Sequence, residues 1–84
     1  MYDYFFTFRS VTAASRASRA LEQAGISSIM VRTPGELRKM GCGYSLRIKE
    51  HLMHEAQQVL AREGISYQRV FRKNPDNRWQ EVTL

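Results

Sequence analysis

Leu21-Glu22-Gln23-Ala24-Gly25-Ile26-Ser27 and Leu60-Ala61-Arg62-Glu63-Gly64-Ile65-Ser66 carry the same Leu, Gly, Ile and Ser at matching positions. In each stretch the leucine closes an apolar stripe of helical spacing. A glycine then stands where a helix C-terminus favours a residue that can take positive φ. Both stretches therefore read as a helix ending and turning into a strand. Working back from the first, Val11, Ala14, Ala17, Leu21 and Ala24 recur at helical spacing behind Ser10, a suitable N-cap. Working back from the second, Leu52, Ala56, Val59 and Leu60 form the stripe of a helix over 50–63. The continuous aromatic run from Tyr4 to Phe8 precedes the first helix as a strand, and Tyr44, Leu46 and Ile48, alternating with Ser45 and Arg47, precede the second. Ile26 to Arg32, with Ile29, Met30 and Val31 read as a buried strand, follows the first helix, and Ser66 to Arg72 follows the second.

Two consecutive strand-helix-strand units predict an α+β domain with the ferredoxin-like βαββαβ pattern. Right-handed crossovers put both helices on one face of a four-stranded antiparallel sheet. The other face is left to Arg47, some of the aromatics and a partner, either the C-terminal tail or a second copy of the chain. The domain is expected over 1–72. Lys73-Asn74-Pro75-Asp76-Asn77 is rich in turn formers, so 73–84 reads as a tail or a short appended element, with Trp79 docking back on the domain or on a second subunit.

The chain has 84 residues, enough for one domain with a modest core. Thirteen basic against eight acidic side chains give a net charge of +5, which favours an acidic protein, a nucleic acid or an anionic ligand. The basic residues form no block, so most of them read as solvated surface. One cysteine allows no internal disulfide and supplies no cysteine spacing for a structural zinc site, which suits a reducing cytoplasm. No stretch approaches the roughly 20 apolar residues of a membrane span, and Met1 opens a strand rather than a signal segment. His51 and His54 share a helix with Glu50, Glu55 and Gln58, too sparse a set to predict a metal, and Met30, Met40 and Met53 read as core or loop filling. No paired acids, phosphate-cradling glycine loop or nucleophile elbow is present, so neither a cofactor nor a turnover enzyme is expected.

Chemistry is suggested in one place. The segment from Thr33 to Gly43 joins the second strand to the third and is far longer than an edge connection needs; long loops of this kind tend to carry function. Thr33-Pro34-Gly35 ends the strand, 34–40 reads as a short helical turn, and the segment closes in Arg38-Lys39-Met40-Gly41-Cys42-Gly43-Tyr44. The flanking glycines leave the backbone at Cys42 bare and free to take positive φ. Arg38 and Lys39 favour the thiolate and so lower its pKa from roughly 8.5, while the C-terminal end of the preceding turn opposes this. Cys42 thus reads either as a nucleophile or as a small buried hydrophobe capping the loop.

Phe6-Thr7-Phe8-Arg9-Ser10, Leu21 to Ile26, Arg32-Thr33-Pro34-Gly35-Glu36-Leu37 and Cys42-Gly43 before Leu46-Arg47-Ile48 resemble the selenium/sulfur carrier protein-like family of small bacterial domains. The resemblance runs from about Tyr4 to Arg72. Its distinctive element is a Thr-Pro, a short helix and a Cys-Gly entering the third strand; Arg38, Lys39, Met40 and Gly41 make the loop more basic than in many relatives. The resemblance implies a persulfide or perselenide carrier: Cys42 accepts sulfur or selenium from a donor such as a cysteine desulfurase or sulfurtransferase-type protein and passes it to an acceptor. Gly41, Cys42 and Gly43 would offer main-chain N–H groups to the anion, with Arg38, Lys39, Thr33 and Pro34 in support. Two other readings stand beside it. One is a binding module for RNA or a small regulatory ligand, although the third strand offers a lone aromatic, Tyr44, and lacks the glycine-aromatic run of an RNA-recognition sheet, so nucleic acid is not expected. The other is a homodimerisation module in which Cys42 is incidental.

Overall fold

The structure is a computed structural model that describes residues 2–35 and 43–83. In chain order its elements are β1 (Asp3–Thr7), α1 (Val11–Gln23), β2 (Ile29–Arg32), β3 (Tyr44–Lys49), α2 (Glu50–Arg62), β4 (Arg69–Lys73) and β5 (Trp79–Val82). The strands form one antiparallel sheet in the order β2-β3-β1-β4-β5. Among the described residues the fold is thus α+β with two helices, as expected, but the sheet has five strands rather than four.

The fifth strand comes from the turn formers after β4. Asn77 takes a left-handed φ of 65°, its N–H donates to the Asn74 carbonyl at 2.9 Å, and the Asn74 N–H donates to the Arg78 carbonyl at 2.8 Å. Pro75 suits the first central position of that turn, and an Asn tolerates the left-handed one. The chain reverses tightly enough to pair Lys73 with Trp79. Trp79 then meets Phe5 edge-on, with ring centroids 4.8 Å apart.

Both helices end alike. The Ile26 N–H reaches back to the Leu21 carbonyl at 2.9 Å and the Gly25 N–H to Glu22 at 3.0 Å, with Gly25 at φ 77°. Ile65 repeats the bond to Leu60 at 2.9 Å and Gly64 the bond to Ala61 at 3.1 Å, with φ 69°. These paired bonds satisfy carbonyls that a helix end otherwise leaves open. At the other end of α1, Ser10 Oγ accepts the Ala13 N–H at 3.1 Å, the expected cap.

One face of the sheet holds the core. Tyr4, Phe6, Phe8, Leu46, Ile48 and Val70 from the strands and their exits meet Ala14, Ala17, Leu21, Ala56, Val59 and Leu60 from the helices. Alanines in the α1 stripe let that helix lie close to the sheet. Each fully buried Phe, Leu or Ile contributes about 1.5–3 kcal/mol from the area it removes from water. Val11, at the start of the α1 stripe, stays exposed.

The other face carries Ile29, Arg47, Phe5, Phe71 and Glu81 in one cross-strand row and Val31, Ser45, Thr7 and Arg69 in the next. Within the strands, burial departs from expectation at three places. Ile29 is 49% exposed, because β2 is an edge strand on this face rather than a buried one. Tyr44, expected on the dry side of β3, is 38% exposed at the strand's first position, whereas Ser45, expected to be wet, is fully buried.

Candidate functional site

The sheet holds the two ends of the Thr33 to Gly43 connection together. The Thr33 N–H donates to the Gly43 carbonyl at 2.7 Å, one step beyond the last β2–β3 ladder pair, Arg32 and Tyr44. The side chain of Thr33 adds a second tie: its Oγ1 lies 2.6 Å from Ser45 Oγ, with the residues 1% and 0% exposed. Sealed from water, such a pair resists separation, since breaking it removes a hydrogen bond that water cannot replace. Ser45 in turn sits across from Thr7 in β1. Thr7 Oγ1 accepts the Arg69 N–H at 3.1 Å and donates to the Arg69 carbonyl at 3.3 Å. Three buried hydroxyls, from the exit of β2, from β3 and from β1, thus line the helix-free face at the end where the connection leaves and re-enters.

Of the residues expected at the site, Thr33 and Gly43 are brought together, and Pro34 follows Thr33 half-buried. Arg38, Lys39, Gly41 and Cys42, with most of the expected helical turn over 34–40, lie outside the described residues. Gly43 does not occupy the left-handed region, and a Cβ built on it would meet nothing within 4 Å. Its carbonyl is already engaged with β2, so neither conformation nor space demands a glycine there. What the glycine leaves is uncovered backbone next to Cys42 in the sequence.

Sequence reasoning missed Ser45 and Thr7 because strand alternation assigns a small polar residue to the wet face. The one signal available was that hydroxyl residues stand at Thr7, Thr33 and Ser45, where each segment meets this end. The aromatic run of β1 divides as its pleat requires: Tyr4 and Phe6 enter the core with Phe8 beyond the strand, while Phe5 is buried on the opposite face against Trp79. Among the described residues no three His, Cys, Asp or Glu side chains gather, and His54 Nε2 has Gln58 Nε2 at 3.4 Å along the exposed side of α2. No described helix is long and apolar enough to cross a membrane.

Residues 3–72 match the family described as "Putative Se/S carrier protein-like". No curated protein and no solved structure matches the chain. The matched stretch takes in both helices, the first three strands, most of β4 and the whole of the Thr33 to Gly43 connection, and the chain belongs to this selenium/sulfur carrier protein-like family.

Proposed function

We propose that this protein is a sulfur or selenium carrier in which Cys42 holds the transferred atom as a persulfide or perselenide. The observation that carries the reading is the family match across the connection that contains Cys42. The anchored base of that connection supports it, because a nucleophile that takes an atom from one protein and yields it to another is best presented from a rigid frame. The order β2-β3-β1-β4, with a helix after β1 and after β3, supports a ferredoxin-like unit over 1–72, to which 73–84 adds a strand.

In the transfer the Cys42 thiolate attacks the outer sulfur of a donor persulfide. A new S–S bond forms at Cys42, the donor's S–S bond breaks, and the donor leaves as a thiolate. One sulfane sulfur and one negative charge change places, so no external oxidant or reductant is required. The thiolate is the reacting form, and Arg38 and Lys39, four and three residues before Cys42, are the sequence-local cations that favour it. The partners are a donor of the cysteine desulfurase or sulfurtransferase type and a protein acceptor, meeting in the cytoplasm.

The test is intact mass after incubating the reduced protein with a cysteine desulfurase and cysteine. Wild type is expected to gain the mass of one sulfur atom, lost again on reduction, and Cys42→Ser to gain nothing. Equal gain by both proteins, or no gain by wild type from the desulfurase or from a small persulfide, overturns the reading.

A further inference from the structure

The end of the sheet that anchors the connection also carries two exposed arginines in one cleft. Arg9 and Arg16, with Ser10, Ser66, Tyr67 and Gln68, line a depression of about 330 Å³ between the exit of β1 and the entry to β4. No Asp or Glu lines it. Among the described residues the ion pairs join Lys49 to Asp3, Arg62 to Glu63, Arg69 to Glu81 and Arg78 to Asp76, and neither Arg9 nor Arg16 takes part in one.

The ladder register relates this cleft to the connection. Thr7 pairs with Ser45 on one side and with Arg69 on the other. Ser45, two residues after Gly43, and Arg69, which follows Gln68 of the cleft, therefore meet β1 at the strand end from which Arg9 leaves. Two guanidiniums with no carboxylate beside them among the described residues thus stand at the sheet end where the cysteine-bearing connection re-enters β3. Guanidinium is suited to carboxylate through paired N–H donors, and uncompensated charge of one sign raises the rate at which an oppositely charged surface arrives. A nucleic acid strand fits less well. Among the described residues Tyr67 is the single aromatic lining the cleft, half-buried and in T-shaped contact with the core ring of Phe6 at 4.9 Å between centroids, so no row of rings is offered for successive bases to stack on.

We propose that this cleft docks an acidic segment of a partner protein, with Arg9 and Arg16 receiving its carboxylates. That the partner is the sulfur donor rests on the carrier reading; the docking itself does not. A hexaglutamate peptide titrated into the ¹⁵N-labelled protein is expected to shift the amides of Arg9, Ser10, Arg16, Tyr67 and Gln68. Arg9→Glu/Arg16→Glu should weaken this at least tenfold, Arg9→Gln/Arg16→Gln should weaken it in part, and Arg62→Glu/Arg78→Glu, with the same change in net charge, should leave it within twofold.

Shifts scattered over all basic residues, equal loss in both Glu pairs, or the same saturating shifts with inorganic phosphate overturn the proposal. Loading separates it from the carrier reading. A wild type that binds the peptide at the cleft but takes no sulfur from cysteine persulfide keeps the docking surface and loses the carrier. If the carrier holds, Arg9→Glu/Arg16→Glu should load normally from cysteine persulfide and at least tenfold more slowly from a desulfurase whose loading of wild type falls with salt.

Discussion

The two helix exits share their hydrogen bonds and their glycine conformation, yet the strands they lead into have different surroundings. After Gly25 the chain enters β2, an edge strand in which Ile29 is 49% exposed and Met30 and Val31 are half-buried. After Gly64 it enters β4, flanked by β1 and β5, and Val70 is 2% exposed. The motif Leu-x-x-x-Gly-Ile-Ser settles how a helix stops, because its bonds close within six residues. It says nothing about how many neighbours the next strand acquires. That depends on chain far away: the turn at Asn74 to Asn77 gives β4 a second partner, and nothing equivalent follows β2 among the described residues.

The comparison breaks most readily at the leucines. Leu21→Ala and Leu60→Ala, each fully buried, should lower stability by about 2–5 kcal/mol in urea unfolding. Similar losses would confirm that the two exits are energetically as well as geometrically alike, and a large difference would show that the dissimilar strands reach back into the caps. Thr33→Val, at the exit of β2, comes next. It leaves the buried Ser45 hydroxyl without this partner and should cost about 1–3 kcal/mol. Adding Ser45→Ala should recover part of that loss, and a double-mutant cycle in the same assay measures the coupling. The smallest effects sharpen the glycines. Gly25→Ala and Gly64→Ala, in left-handed conformations with open space around them, should each cost about 1–2 kcal/mol from backbone strain alone. Gly43→Ala should stay within about 0.5 kcal/mol of wild type. If it nonetheless slows sulfur loading, the bare backbone beside Cys42 serves approach rather than folding.

The parts legible in advance were those decided locally: Ser10 as a cap, the alanine and leucine stripes, and Gly25 and Gly64 as stops. Trp79 to Val82 was harder, because four residues with two charged or polar side chains form a strand only when β4 lies beside them. Ile29 misled for the related reason that an apolar run looks the same in a central strand and at an edge. At the candidate site, Thr33, Pro34 and Gly43 stood out from the length and composition of their connection. Ser45 did not, since its partner Thr33 meets it through the register of two strands. Arg9 was hidden more deeply, because the pairings of Thr7 with Ser45 and Arg69, which set the end of the sheet where it stands, are disclosed by no spacing along the chain.

The central position of β1 has a consequence for how this protein comes to be made. β1 precedes both of its sheet partners, β3 and β4, in the chain, and its pairing of Asp3 with Lys73 joins residues 70 apart. The most aromatic segment, Tyr4 to Phe8, is therefore synthesised well before either of its sheet neighbours. Closure by such distant pairings is slow compared with the local formation of either helix. The sheet cannot close before β4 has been made, and until then Tyr4 and Phe6, buried in the finished domain, lack one of their flanking strands.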